Sequence, residues 1–228
     1  MARTKDEPQT RSMPELQPGD RLTRAEFERR YQAMPHLKKA ELIEGVVHIP
    51  SPVNDASHGG PHADIMGWLA VYRAFTPGVR AGDNSTIRLD LANEPQPDAH
   101  LRILPAHGGQ TRDEDGYIGG APELVFEVAA SSVSYDLHDK QPVYRRNAVR
   151  EFVVWRTLDG EIDWFVLVEE RFVRQHPGPG GILKSQVFPG LWLDPDALRR
   201  GDLRRVLEVL HQGLSTPEHE AFVARLGG

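Results

Sequence analysis

The sequence contains no cysteine among its 228 residues. This absence excludes disulfide bonds, thiolate zinc sites and cysteine nucleophiles, and it agrees with a cytoplasmic protein. No run approaches the roughly 18 consecutive apolar residues that predict a membrane-spanning helix, so we expect no membrane partner. Residues 1–20 also lack the apolar centre of a secretory signal. Their polar composition, interrupted by Pro8, Pro14 and Pro18, predicts a disordered tail.

Basic residues are too few for a protein that coats nucleic acid without specificity, since such proteins present broad basic surfaces. Lysine and arginine total 27 against 33 aspartate and glutamate residues, which gives a formal net charge of −6. An enzyme is compatible with this charge, because basic side chains can hold phosphates around an acidic metal-binding cleft. The sequence also lacks the G-x-S-x-G motif of serine hydrolases and the glycine spacing of a phosphate loop.

Hydrophobic periodicity predicts one α+β domain over residues 21–228, with a central mixed sheet flanked by helices. A capping box at Thr23-Arg-Ala-Glu26 begins the first helix and Pro35 stops it. Residues 108–120 are polar and rich in glycine, which predicts a loop. The other predicted elements are strands over 41–49, 85–91, 98–104, 124–128, 151–156, 161–169 and 172–175, and helices over 62–75, 136–147, 203–210 and 218–226.

Strand parity singles out two carboxylates. In the strand LVFEV, Glu127 shares a face with Val125 and all its neighbours are apolar. An isolated carboxylate there costs several kcal/mol unless it is paired or bound to a metal. In the strand DAHLRIL, Asp98, His100 and Arg102 project to one side. If these strands are neighbours, the two carboxylates repel by about 4 kcal/mol at 4 Å, and a Mg²⁺ or Mn²⁺ ion would reverse the sign.

A lysine on the following predicted helix completes this candidate site. Asp136, Lys140 and Tyr144 are four residues apart and therefore share one helix face. A lysine reaching back to the metal could hold the scissile phosphate, position the attacking water or stabilise the developing charge.

Each of these residues also has a structural interpretation. Glu127 could pair with Arg102, Asp98 could simply start a strand, Lys140 could pair with Asp136, and Tyr144 could pack with a hydrogen-bonded hydroxyl.

Candidate substrate contacts surround the three residues, and Tyr144, on the helix face of Lys140, is one of them. We predict a substrate contact or a hydrogen-bonding role for His62, in preference to a metal site made with His58. His100 shares the face of Asp98 and could line the cleft. Arg145 belongs to a basic cluster beyond Lys140, which is either a solvated helix face or a phosphate-binding rim.

The order and spacing of several short motifs over about residues 22–193 resemble the Uma family of restriction-endonuclease-like proteins, in the PD-(D/E)XK nuclease superfamily. The motifs are ELIEG at 41–45, His62 followed by Ile65, Pro97-Asp98, Phe126-Glu127-Val128, Tyr135-Asp136…Lys140…Tyr144 and VREFVVW at 149–155.

This resemblance implies a restriction-endonuclease-like core and Mg²⁺-dependent hydrolysis of nucleic-acid phosphodiester bonds, with DNA as the expected substrate and Mn²⁺ as a substitute ion. It implies Asp98, Glu127 and Lys140 as catalytic residues, and Glu41 as a further metal ligand. The superfamily lysine usually lies two residues after the glutamate, where this chain has Ala129. The resemblance suggests that Lys140 enters the same site from the helix instead.

Two other functions are compatible with the sequence. Ala129 and the acidic net charge would suit a catalytically silent module that binds nucleic acid or protein, and the residues alone also allow a hydrolase of small phosphoesters. A homodimer formed through a sheet edge or the C-terminal helices would suit double-strand cutting, by analogy with other nucleases.

Overall fold

The computed structural model describes residues 13–227, so residues 1–12 of the predicted tail lie outside the described residues. The strands are β1 (Glu41–Ile43), β2 (Val46–His48), β3 (Val79–Asp83), β4 (Ile87–Arg88), β5 (Ala99–Ile103), β6 (Arg112–Glu114), β7 (Tyr117–Gly119), β8 (Leu124–Ala129), β9 (Glu151–Arg156), β10 (Glu161–Val168), β11 (Arg171–Gln175), β12 (Leu183–Lys184) and β13 (Trp192–Leu193). The helices are α1 (Arg24–Gln32), α2 (Gly60–Phe75), α3 (Gln141–Arg146), α4 (Pro195–Arg199), α5 (Leu203–Leu214) and α6 (Pro217–Gly227). Two π-helical segments, Asp55–Gly59 and Tyr135–Lys140, lead into α2 and α3.

A six-stranded mixed sheet forms the centre of the fold, in the order β11-β10-β9-β8-β5-β3. Strands β8 and β9 are parallel, and the other neighbours are antiparallel. The sequence-based prediction of a mixed sheet flanked by helices is therefore confirmed. β5 and β8 are neighbours, with Ala99 opposite Phe126. Asp98, just before Ala99, and Glu127, just after Phe126, therefore lie close together.

The two faces of the sheet differ in what covers them. Leu124, Phe126 and Val128 of β8 enter a large apolar cluster with α2, α5 and α6, where Trp68 and Trp164 meet edge to face. Burying each such side chain contributes about 1.5–3 kcal/mol, so this face provides most of the apolar stabilisation. The opposite face has a smaller cluster that includes Tyr144 of α3, and Glu127 lies on that side.

The N-terminal segment fixes the position of β1. Thr23 caps α1 by accepting a hydrogen bond from the Glu26 amide, as the capping box predicted. Leu16 and Phe27 are buried in a third apolar cluster beneath α1 and the β1–β2 hairpin. Leu16, which belongs to the predicted tail of residues 1–20, gains apolar contacts against that hairpin. The boundaries of the folded domain otherwise remain a prediction.

Several elements were not predicted from the sequence, namely β3, β6, β7, β12, β13 and α4. β3 pairs along its whole length with β5, although its sequence, VRAGD, has no strand-like alternation. The predicted loop at 108–120 contains the β6–β7 hairpin instead. Its turn is Asp115-Gly116 with both φ angles positive, the preference of a tight hairpin turn. The predicted strand at 85–91 is reduced to β4, which pairs with β7.

The segment predicted as one helix at 136–147 divides into a π-helical part and α3. Pro142 lies in the first turn of α3, directly after the π-helical segment. Across the described range 13–227, every helix is too short or too polar to cross a membrane.

Candidate active site

Asp98 and Glu127 are interlocked through the backbone of the two central strands. Asp98 directly precedes β5, and its amide donates to Glu127 Oε2 at 3.3 Å. In return, Asp98 Oδ2 accepts a 2.9 Å hydrogen bond from the Val128 amide of β8. The side chains of Asp98 and Glu127 are 7% and 2% exposed. The antiparallel register of β5 and β8 therefore fixes both carboxylates in one buried position.

Lys140 lies at the end of the π-helical segment, and its ammonium group contacts three carboxylates. Lys140 Nζ is 3.0 Å from Glu127 Oε1, 3.1 Å from Glu41 Oε1 and 3.4 Å from Asp136 Oδ1. The side chain is 4% exposed, and its ammonium lies 5.0 Å from the centre of the Tyr135 ring. This lysine is therefore enclosed by its partners and separated from solvent.

Further donors hold the same carboxylates. Tyr144 donates its hydroxyl to Glu127 Oε1 at 2.8 Å, and the Gln96 amide donates to Glu41 Oε1 at 2.7 Å. β1 brings Glu41 to this position because Leu42 exchanges backbone hydrogen bonds with Glu94, shortly before Asp98 in the chain. We call Glu41, Glu127, Asp136, Lys140 and Tyr144 the floor of the site.

A second group of side chains lies around Asp98, closer to solvent. Lys39 Nζ is 3.1 Å from Asp98 Oδ1 and 2.9 Å from Asn84 Oδ1, and His58 Nε2 is 3.1 Å from Asp98 Oδ2. His62 donates from Nε2 to the Asp98 carbonyl at 2.8 Å. The side chains of Lys39, His58 and His62 are 24%, 17% and 16% exposed. We call Lys39, His58, His62 and Asn84 the mouth of the site.

Local structure explains how the two histidines reach Asp98. The Asn54 side chain caps the first π-helical segment by accepting from the Ser57 amide. The Ser57 carbonyl in turn accepts a 2.7 Å hydrogen bond from the Thr157 hydroxyl, just after β9. His58 and His62 then lie on consecutive turns with ring centres 5.9 Å apart.

The site carries more negative than positive charge. Four carboxylates, those of Glu41, Asp98, Glu127 and Asp136, face two ammonium groups, which leaves a formal excess of two negative charges. Burial raises the pKa of Glu127 to about 8, although the neighbouring Lys140 opposes that shift. Burial also raises the pKa of Asp136. A divalent cation would remove the charge excess that produces part of these shifts.

Asp98 behaves differently from Glu127. Burial alone would raise its pKa, but the hydrogen bond from His58 and the charge of Lys39 hold that pKa well below its ordinary value. Asp98 is therefore ionised at neutral pH, and it is the carboxylate of the four that the mouth groups contact.

The donor set suits a hard divalent cation, although the oxygens do not converge on one point. Within residues 13–227, no three histidine, aspartate or glutamate side chains are grouped so that they could hold an ion between them. The carboxylate oxygens face ammonium groups instead. Buried carboxylate oxygens with two excess negative charges nevertheless match the ligand preference of Mg²⁺ and Mn²⁺. Asp98, Glu127 and Glu41 therefore fit such an ion chemically, provided that Lys39 moves away from Asp98 and that the ion takes the oxygens of Glu127 and Glu41 that Lys140 does not contact.

Comparison with known proteins decides the family. A family model described as "Uma2: Putative restriction endonuclease" matches residues 24–196, more than half of the chain and all four carboxylates. The chain belongs to this family. A crystal structure described as "a putative nuclease belonging to DUF820 from Anabaena variabilis ATCC 29413" has the same fold. It superposes with a TM-score of 0.56 at 14% identity, covering 75% of this chain and 97% of that one. No curated protein matches the sequence.

Membership of the Uma2 family supports a nuclease-like function for the site. The structure brings four of the residues expected from the sequence (Glu41, Asp98, Glu127 and Lys140) into contact with one another or with shared partners. Tyr144 and His62 also reach the site, through Glu127 and the Asp98 carbonyl. Arg102 does not neutralise Glu127, because its guanidinium donates to the Thr111 hydroxyl instead.

Two expected substrate contacts lie elsewhere in this Uma2 chain. His100 is on the predicted face of β5 but is only 1% exposed, and its ring fills the space above Gly82 of β3. It cannot line an open cleft. Arg145 is exposed on α3 and donates to the Glu170 carbonyl, away from Tyr144. Adjacent helical residues point about 100° apart, so Tyr144 and Arg145 cannot both face the site.

Sequence reasoning missed four side chains that touch the site's carboxylates, namely Lys39, His58, Ser132 and Tyr135. Lys39 had a usable signal, since it lies two residues before Glu41 and extended chain places such residues on one face. His58 was considered only as a metal partner of His62. Tyr135 donates its hydroxyl to Glu41 Oε2 at 3.3 Å, a contact made between segments 94 residues apart.

Proposed function

We propose that this protein is a divalent-metal-dependent endonuclease that hydrolyses phosphodiester bonds, with Mg²⁺ as the cofactor and DNA as the substrate. The observation that carries the proposal is the cluster of four buried carboxylates at the central strands of a nuclease fold. Such a concentration of charge is costly unless it serves to bind a cation. The family match supports the same reaction class.

Asp98, Glu127 and Glu41 are the proposed metal ligands. When bound, the ion would lower the pKa of a coordinated water and neutralise charge on the phosphate. Hydrolysis forms a bond from the water oxygen to phosphorus and breaks a bond from phosphorus to one ester oxygen. One proton of the water finally resides on the released hydroxyl.

The chain's own residues hold these ligands in place. The Val128 amide and His58 orient the Asp98 carboxylate, while Lys140 and Tyr144 both donate to Glu127 Oε1. The mouth supplies cationic and neutral donors on the side from which a phosphate would approach Asp98. Dimerisation for double-strand cutting remains a prediction.

A catalytically silent binding module is the second candidate. It is favoured by Ala129 at the usual lysine position and by ammonium groups that already contact both Asp98 and Glu127. In such a module the lysines would be permanent partners of the carboxylates, and no ion would replace them.

A plasmid-nicking assay separates the two functions. The endonuclease proposal predicts Mg²⁺-dependent nicking by the wild-type protein. It also predicts a loss of roughly a thousandfold in Asp98→Ala, because about 4 kcal/mol of transition-state stabilisation is at stake. Asp115→Asn is the matched control, since Asp115 is 92% exposed in the β6–β7 turn and asparagine tolerates its positive φ. Nicking that survives Asp98→Ala would refute the proposal.

A further inference from the structure

The two lysines of the site have different access to a substrate. Lys140 is 4% exposed, contacts three carboxylates and lies beneath the Tyr135 ring. A phosphate could reach its ammonium only after the floor had opened, which would leave buried charges without partners. Lys39 is 24% exposed, and one carboxylate, that of Asp98, lies within 4 Å of its ammonium.

The contacts of the Lys39 ammonium can be exchanged for contacts with a phosphate. Among residues 13–227, its ammonium contacts Asp98 and otherwise only the neutral amide oxygen of Asn84, at 2.9 Å. The Lys39 ammonium is a charged donor on a flexible four-carbon stem at the edge of the site.

Lys39 also approaches the carboxylates from a backbone position different from that of the usual superfamily lysine. That lysine position is Ala129 on β8, which is fully buried in the smaller apolar cluster. Lys39 precedes β1 and reaches Asp98 from the mouth, beside His58 and His62.

We propose that Lys39 contacts the scissile phosphate, whereas Lys140 is a positioning residue that holds Glu127 and Glu41. This inference rests on the proposed endonuclease function. A phosphate oxygen that approaches Asp98 meets the Lys39 ammonium, and exchange of Asp98 for phosphate replaces one charge-assisted hydrogen bond with another. The same movement frees Asp98 Oδ1 for a metal ion. The ammonium then lies where negative charge develops during hydrolysis.

The competing interpretation is that Lys39 only holds Asp98 in its place. The two interpretations differ in metal binding as well as in rate. If Lys39 merely orients Asp98, its loss weakens divalent-ion binding together with cleavage. If Lys39 contacts the phosphate and competes with the ion for Asp98 Oδ1, its loss slows cleavage while ion affinity is unchanged or higher.

The test compares Lys39→Met with Lys38→Met, an adjacent exposed lysine whose side chain makes no ion pair among the described residues. Single-turnover nicking is measured at saturating Mg²⁺, Mn²⁺ affinity by calorimetry, and DNA affinity in Ca²⁺. We expect Lys39→Met to slow nicking by about 100-fold, the typical effect of losing one donor to the developing charge. We also expect Mn²⁺ affinity to be equal or higher, Lys39→Arg to restore part of the rate, and Lys38→Met to match wild type.

Three results would overturn the inference. Wild-type nicking by Lys39→Met would show that Lys39 does not act on the phosphate. Equal losses of nicking and Mn²⁺ affinity would assign it to holding Asp98. A wild-type protein that nicks no DNA with any divalent ion would remove the endonuclease proposal and this inference together. Thermal unfolding checks each variant, and Lys39→Gln replaces Lys39→Met if the latter does not fold.

Discussion

The floor and the mouth of the site contain similar chemical groups in opposite physical situations. In the floor, Lys140 and Glu127 are 4% and 2% exposed, and each is held by more than one partner. In the mouth, Lys39 and His58 are 24% and 17% exposed and share the single carboxylate of Asp98. Charges that are buried and multiply paired are costly to separate, whereas partly exposed pairs exchange readily. The difference indicates that the floor fixes geometry and that the mouth meets the substrate.

We expect the largest effect from removal of the Lys140 ammonium, which holds the carboxylates of the floor. Lys140→Met would leave the carboxylates of Glu41, Glu127 and Asp136 without their shared partner. We expect the free energy of unfolding to fall by about 3–5 kcal/mol, the usual cost of breaking a buried pair from one side. Urea unfolding at neutral pH measures this, with Lys38→Met as the exposed control.

A double variant checks the reason for that loss. Lys140→Met combined with Glu127→Gln removes one of the carboxyl groups left without a partner as well as the ammonium, so part of the lost stability should return. The comparison fails if Lys140→Met unfolds at the same urea concentration as wild type, because Lys140 would then hold nothing in place.

A smaller effect comes from a buried carboxylate that has no ammonium partner. Glu151 is fully buried at the start of β9 and accepts from the Ser185 hydroxyl and the Gln186 amide, each at 2.6 Å. In the described range 13–227, no lysine or arginine nitrogen lies within 4 Å of its carboxylate oxygens. Burial therefore raises the pKa of Glu151 to about 7, despite these hydrogen bonds.

This raised pKa predicts a stability that falls with increasing pH. Between about pH 4.5 and 7 the folded protein keeps a proton on Glu151 that the unfolded chain has lost, so the unfolded state binds fewer protons. The free energy of unfolding therefore includes the full contribution of Glu151 below about pH 4.5. As the pH rises to about 7, it falls by about 3 kcal/mol in total. Glu151→Gln should flatten this part of the pH profile in urea unfolding. An unchanged profile would show that Glu151 titrates normally.

The elements with strong local signals were predicted from the sequence. Alternation and the Asp159-Gly160 turn predicted the hairpin of β9 and β10, and the Thr23 capping box predicted the start of α1. β3 escaped prediction because its pairing with β5 is a backbone interaction. Gly82 serves there as space for the His100 ring, which a sequence pattern cannot show.

Strand parity and the family motifs predicted the part of the candidate site that depends on local sequence. Parity gives the face of a residue but not its depth, so His100 was placed on the correct face and wrongly at the cleft. Lys39 and His58 reach Asp98 from segments 59 and 40 residues away. Such convergence depends on tertiary packing of β1 and α2, and local periodicity contains no information about it.

Calorimetric titration of Mn²⁺ into the wild-type protein and Asp98→Ala tests the central claim most directly. If the buried carboxylates form a cation site, the wild-type protein binds Mn²⁺ with saturable heat, and the alanine variant loses that binding while its thermal unfolding stays cooperative. Identical titrations of the two proteins, or no binding to either, would contradict the account.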